Sequence, residues 1–251
     1  MVSQLESFSG TSYGAHAPVV AAASPAERSA FLVRTYGHLL GAIALFAVLE
    51  VALFNTSLPN AMLSKLASGR YAWLLFMAGF VGVSMLADRW AVSSTSRGKQ
   101  YAGLGLYTVC QAVLFIPLIA YAIVAAQGAD GGEPDASILP RAVLVTATLF
   151  GGLTGVVFLT RKDFSFLRGI LMFGGFAALG LVVASVLFGF SLGMAFSYAM
   201  VALACGYILY DTSNVMQRYR TDQHVAASLA LFASVMLLFW YVLRIFLDRR
   251  R

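Results

Sequence analysis

The sequence predicts an all-α membrane protein, a seven-transmembrane helix bundle, and two observations carry that prediction. The first is composition: of 251 residues, 60% are hydrophobic and only 11% are charged, whereas soluble domains carry about 45–50% apolar and about 25% charged residues. A water-soluble fold would have to expose the excess, which drives association; in lipid the same side chains face outward at no penalty. The second is length: seven apolar stretches each reach the roughly 20 residues that a helix needs to cross about 30 Å of hydrocarbon. Backbone groups in lipid must bond internally, which leaves helices or a closed barrel, and runs this long without period-two alternation exclude the barrel.

The stretches run near 31–54, 71–91, 101–126, 140–160, 168–190, 194–217 and 225–247. Ahead of them, residues 1–28 read as a flexible cytoplasmic tail preceding a membrane domain over 29–251. Gly, Ser, Ala and Pro dominate as far as Pro25, and no basic start followed by an apolar run marks a cleaved signal. The connections are short: SLPNAMLSKLASGR after span one, DRWAVSSTSRGK after span two, the acidic QGADGGEPDASILP after span three, then RKDFSFLR, FGFSLG and RYRTDQH. None is large enough for a second domain. In span four Gly151 and Gly155 have GxxxG spacing, and Gly174, Gly175 and Gly180 thin span five; small residues at such spacing predict close helix packing.

Lysine and arginine concentrate on the cytoplasmic side of membrane proteins. With the N-terminus cytoplasmic, ten lie inside (Arg28, Arg34, Arg89, Arg97, Lys99, Arg161, Lys162, Arg168, Arg218, Arg220) and three outside (Lys65, Arg70, Arg141). The bias predicts that orientation, with the N-terminus in the cytoplasm. Arg249, Arg250 and Arg251 oppose it if the last stretch crosses fully, which leaves open a re-entrant final segment. The net charge of +6 therefore reads as a topology signal and not as a nucleic-acid surface. Cys110 and Cys205 lie inside apolar stretches without a nearby His or acid cluster. They read as small core residues, not as a disulfide or a metal site; no cofactor is expected.

Ionisable groups within the bilayer are expensive and usually functional, which shortens the search. Asp211 sits in GYILYDTSNV near the inner end of span six, beside Tyr210, Thr212, Ser213 and Asn214. A carboxylate there can bind a cation, titrate, or pair with an arginine such as Arg89. Glu50, in IALFAVLEVALFN, is a secondary candidate for an outward-facing vestibule. Asp88 stands at the edge of span two. His38 lies twelve residues before Glu50, about 18 Å along the helix, too far to pair with it, and reads as a packing residue. Ser228 and Ser234 are the mid-membrane polar groups of span seven; no His or Lys at a recognisable spacing would activate either. A second GxGD element, a serine–histidine motif and a lysine in the last span are all missing, so the chain reads as a non-enzyme and not as a retinal protein.

At GYILYDT, at TRKDFSFL before span five and at LRIF near the end, the chain resembles the Bax inhibitor-1 family, which includes bacterial members of the YccA and YetJ type. The resemblance covers about residues 28–248. It implies six helices around a central last helix. It also implies a pH-sensitive calcium leak gated by two aspartates and latched by a basic residue on span two. The first aspartate corresponds to Asp211 and the latch to Arg89. The second does not carry over: the family pattern A-L-x-L-D-x-x-x-L-F is met here by ALFASVMLLF, with Ser234 at the aspartate position. Two adjacent carboxylates cannot both ionise cheaply and so sense pH as a pair, a coupling that a serine lacks. The expectation is a weak or modified cation leak, with the lipid bilayer, calcium or other cations, and other membrane proteins as partners. The alternative is a non-transporting regulator of other membrane proteins, for example in membrane proteolysis or a stress response.

Overall fold

The computed structural model describes residues 17–92, 97–128 and 135–249. Residues 1–16 of the expected tail, 129–134 of the acidic loop, and Arg250 and Arg251 lie outside them. Eight helices follow one another: α1 (Pro25–Phe54), α2 (Leu58–Ala67), α3 (Arg70–Ala91), α4 (Arg97–Ala126), α5 (Ile138–Thr160), α6 (Leu167–Phe188), α7 (Gly193–Gln217) and α8 (His224–Asp248). All but α2 are long and apolar enough to cross a membrane. They correspond one to one with the seven expected spans.

α8 is the axis. Of its most apolar window 78% is buried, against 6–39% in the other six, and it packs against α1, α3, α4, α5 and α7. Its 25 residues extend about 37 Å as one unbroken helix, long enough to cross in a single pass. Lipid tails are as apolar as leucine, so helices in a membrane are held by close packing instead of by expulsion of water. Aromatic rings supply much of it around α8: Phe115 of α4 stacks on Phe239 at 5.5 Å and meets Phe46 of α1 edge-on at 5.2 Å. α6 departs from a uniform ring of six. It packs on α7, touches α3 only lightly, and leaves a space between α3, α6 and α8.

The glycines sort differently from the expectation. A Cβ at Gly151, Gly155 or Gly180 would meet nothing within 4 Å, so the GxxxG of α5 does not pack a neighbouring helix within this chain. The close approach is at Gly103 of α4, where a Cβ would stand 2.6 Å from the Ala87 carbonyl oxygen of α3. Gly174 and Gly175 do pack, against Leu203 and Tyr207 of α7.

Two features were not anticipated. α2 forms within the first connection, begun by Pro59 in its first turn, where proline's missing N–H costs nothing. Within the described part of the expected tail a short 3-10 turn, Val20–Ala22, precedes α1, which begins at Pro25. Ser24 caps α1 in a reciprocal capping box: Glu27 N–H donates to Ser24 Oγ (3.3 Å) and Ser24 N–H donates to Glu27 Oε2 (3.0 Å), with Pro25 following. Before it, fully buried Val20 donates its N–H to the Tyr219 carbonyl (2.9 Å), and Thr221 N–H donates to the Pro18 carbonyl (3.0 Å). The segment is strapped across the α7–α8 connection.

Candidate functional site

Asp211 lies six residues before the end of α7, and Ser234 ten residues after the start of α8. The two helices run antiparallel and pack closely, which brings them face to face. Ser234 Oγ donates to Asp211 Oδ2 at 2.5 Å. Ser234 is buried and Asp211 half-buried, because the carboxylate opens onto a cavity of about 900 Å³ that fills the space between α3, α6, α7 and α8. Ser228, the other serine of α8, donates to the backbone carbonyls of Thr35 and His224 (both 2.7 Å). Its hydroxyl is thus spent on backbone, whereas that of Ser234 is spent on a carboxylate.

The polar groups of the cavity gather at the Asp211 end. Tyr207, one turn before Asp211, lines it and donates its hydroxyl to the Leu171 carbonyl of α6 (2.9 Å). Gln111 of α4 donates to the Tyr107 hydroxyl (3.2 Å). The Gln111 Oε1 atom is buried on the cavity wall without a hydrogen-bond partner among the described residues, and Ser84 Oγ is buried beside Cys110. Asp88 of α3 joins them there. Tyr219, in the α7–α8 connection, is half-buried nearby; its desolvation, with Asp211 and Asp88 adding to it, holds its phenol above the ordinary range. Towards the other end the walls are Met77, Phe80, Leu237 and Trp240, and the cavity closes near Arg244.

The remaining expected residues stand elsewhere. Arg89 is exposed and makes no ion pair among the described residues, so it does not latch Asp211. Successive helical residues are 100° apart, and the wall of α3 is set by Phe80, Ser84 and Asp88, which turns Arg89 away. Tyr210 is half-buried but off the cavity wall for the same reason; Tyr207 takes that place. Glu50 is 7% exposed and lies on α1, off the cavity, with both carboxyl oxygens unpartnered among the described residues. It is not part of a vestibule shared with Asp211. His38 is packed against Tyr101 and His224 (ring centroids 5.4 and 5.1 Å). Cys110 and Cys205 are free and half-buried.

The α5–α6 connection braces the end of α7 that carries Asp211. Ser213 Oγ accepts from Phe164 N–H (3.0 Å), Gln217 donates to the Arg161 carbonyl (3.2 Å), and Arg218 pairs with Asp163 at 3.1 Å. Ser165 N–H and Arg218 together hold the Asp163 carboxyl below its ordinary range, the backbone donor contributing more. The two sequence marks RKDFS and YDTSNV are therefore one structural unit.

This site can hold a proton or a hydrated cation, but it is no chelator. Among the described residues no three His, Cys, Asp or Glu converge, whereas a dedicated calcium site supplies six to eight oxygens. One carboxylate, a hydroxyl donor and an unpartnered amide oxygen across a cavity suit transient contact with a cation that keeps most of its water.

The profile of the family described as Inhibitor of apoptosis-promoting Bax1 matches residues 28–251. An uncharacterized protein of Pseudomonas aeruginosa is 30% identical over 90% of this chain and 92% of its own length. Bax inhibitor 1 of Schizosaccharomyces pombe is 26% identical over 90% of this chain and 79% of its own. The Golgi anti-apoptotic protein of vaccinia virus is 25% identical over 90% of this chain and 88% of its own. With seven candidate spans, the last of them central, these matches make the chain an integral membrane protein of the Bax inhibitor-1 family.

Proposed function

We propose that this chain is a weak, proton-responsive cation leak of the cytoplasmic membrane, with Asp211 as the acid that meets the ion. The observation that carries the reading is the cavity itself: a half-buried carboxylate held by Ser234 shares its wall with Asp88, Ser84 and Gln111, whose Oε1 has no partner among the described residues. Polar atoms gathered in a space of this size favour water there, and water is what a cation needs on entering. Protonation of Asp211 removes the charge that attracts the cation, which couples flux to pH. With Ser234 at the facing position and Asp88 one helix away, no tightly coupled acid pair forms, so the pH response is shallower than that of two adjacent carboxylates. The Asp211 end faces the cytoplasm in the orientation favoured by the basic residues. No catalytic step belongs to this proposal.

Calcium flux into liposomes, native chain against Asp211→Asn, tests it. The substitution is expected to remove most of the flux; equal flux in the two sinks the role of Asp211. A regulatory role without transport is the second reading, favoured by the apolar walls beyond Ser234. Absence of flux in the native chain, with a partner recovered by cross-linking in native membranes, would select it.

A further inference from the structure

The two ends of the cavity have opposite chemistry. From Ser234 to Arg244 on α8, about 15 Å of helix, the walls are formed by Phe80, Phe115, Met236, Leu237 and Trp240. The hydroxyl of Ser185 on this stretch is already committed, donating to the Val182 carbonyl (2.8 Å). Water in a cavity needs two to four polar partners; here the side-chain polar groups, Ser191, Tyr241 and Arg244, gather at the far end, and the stretch between them and Ser234 is apolar. The space is nonetheless accessible, because α3 and α6, which form its flanks, touch each other only lightly. It therefore faces hydrocarbon sideways. At its far end stands Arg244, 30% exposed; its one ion-pair contact among the described residues, Nε to Asp248 Oδ2 at 3.8 Å, is longer than a hydrogen bond. Tyr241 and Trp73 lie beside it, the residue types that mark the headgroup level.

We propose that the Arg244 half of this cavity is a lipid site. One acyl chain of an anionic phospholipid from the surrounding bilayer lies between α3, α6 and α8, with its phosphate at Arg244. The length agrees: about 15 Å is half the roughly 30 Å of hydrocarbon, the depth that one leaflet's chains fill. The charge agrees too, since a guanidinium with most of its donors unused recognises phosphate oxygens in pairs. The site stands whether or not the cavity conducts. If it does conduct, the same chain lies across the path beyond Ser234, and removing the lipid opens it.

Tryptophan quenching by brominated lipid tests the site. The chain has three tryptophans, and a Trp73→Phe, Trp90→Phe variant leaves Trp240 on the cavity wall as the sole reporter. It is placed in phosphatidylcholine vesicles carrying either phosphatidylglycerol or phosphatidylcholine with brominated acyl chains. Stronger quenching by the brominated phosphatidylglycerol is expected. Adding Arg244→Gln should erase the preference between the two lipids, and adding Ala233→Phe, which fills the cavity, should relieve the quenching. Equal quenching by both lipids before any further substitution overturns the headgroup assignment. Unrelieved quenching in a folded Ala233→Phe variant, checked by circular dichroism, overturns the cavity assignment. Should that variant not fold, competition decides. Unbrominated phosphatidylglycerol is expected to relieve quenching more than the same mole fraction of oleate, and the reverse order overturns the phospholipid assignment. Flux of Asp211→Asn reads the opposite end of the cavity, so failure of either idea is visible separately.

Discussion

Asp211 and Glu50 are both carboxylates set in apolar helices, and the structure treats them oppositely. Asp211 faces a cavity, accepts from Ser234, and sits on a helix end braced by the α5–α6 connection. Glu50 is the more deeply enclosed by surface exposure, yet neither of its oxygens has a partner among the described residues and it does not line the cavity that Asp211 faces. Enclosure alone therefore does not make a site within a membrane. What distinguishes Asp211 is a donor on one side and open volume on the other, so that its charge can be met by something that arrives and leaves.

Substitutions can break that contrast or sharpen it. The largest effect on stability is expected at Glu50. Replacing a buried, unpartnered acid with an apolar residue of similar volume removes a desolvation cost, so Glu50→Leu should raise the thermal unfolding midpoint in detergent. The gain is roughly 2 kcal/mol; a loss of stability would mean that Glu50 is satisfied after all. Next is Ser234→Ala, which strands the Asp211 carboxylate and should cost about 1–2 kcal/mol in the same measurement, while Ser228→Ala leaves flux unchanged. Smaller is Asp163→Asn, at under about 1 kcal/mol because the pair with Arg218 is half-exposed. The folded-state acid strength of Asp163 is enhanced, so its contribution is present above the unfolded carboxylate range near about 3.9 and is lost as pH falls through the lowered folded value. The difference between native and Asp163→Asn melting should therefore close in acid. Smallest is Arg89→Gln, which should leave both flux and stability unaltered; a changed flux would restore the latch that the geometry denies.

The spans were legible because twenty consecutive apolar residues have few uses outside a bilayer. The pairing of Asp211 with Ser234 was legible only through the resemblance, since nothing in either helix alone states which residue of its neighbour it meets. The choice between Asp88 and Arg89 turns on 100° of helix rotation. It could have been made from the stripe Phe80, Ser84, Asp88, whose spacing of four residues places all three on one face. Ser24-Pro25-Ala26-Glu27 is likewise a readable helix start, obscured by the small residues around it. Glu50 was not decidable: its fate depends on how tightly α1, α4 and α8 close around it, which is a property of three surfaces and not of one segment. The GxxxG of α5 misled for a related reason, because spacing shows that a surface is flat but not whether anything rests on it.

The strap formed by Pro18 and Val20 gives the amino-terminal segment a mechanical office. Its hydrogen bonds to Tyr219 and Thr221 clasp the turn whose two arms carry Asp211 and Ser234, so it buttresses that turn. Any fused protein or affinity handle that tugs on this stretch would be felt at the turn and, through it, at the two arms.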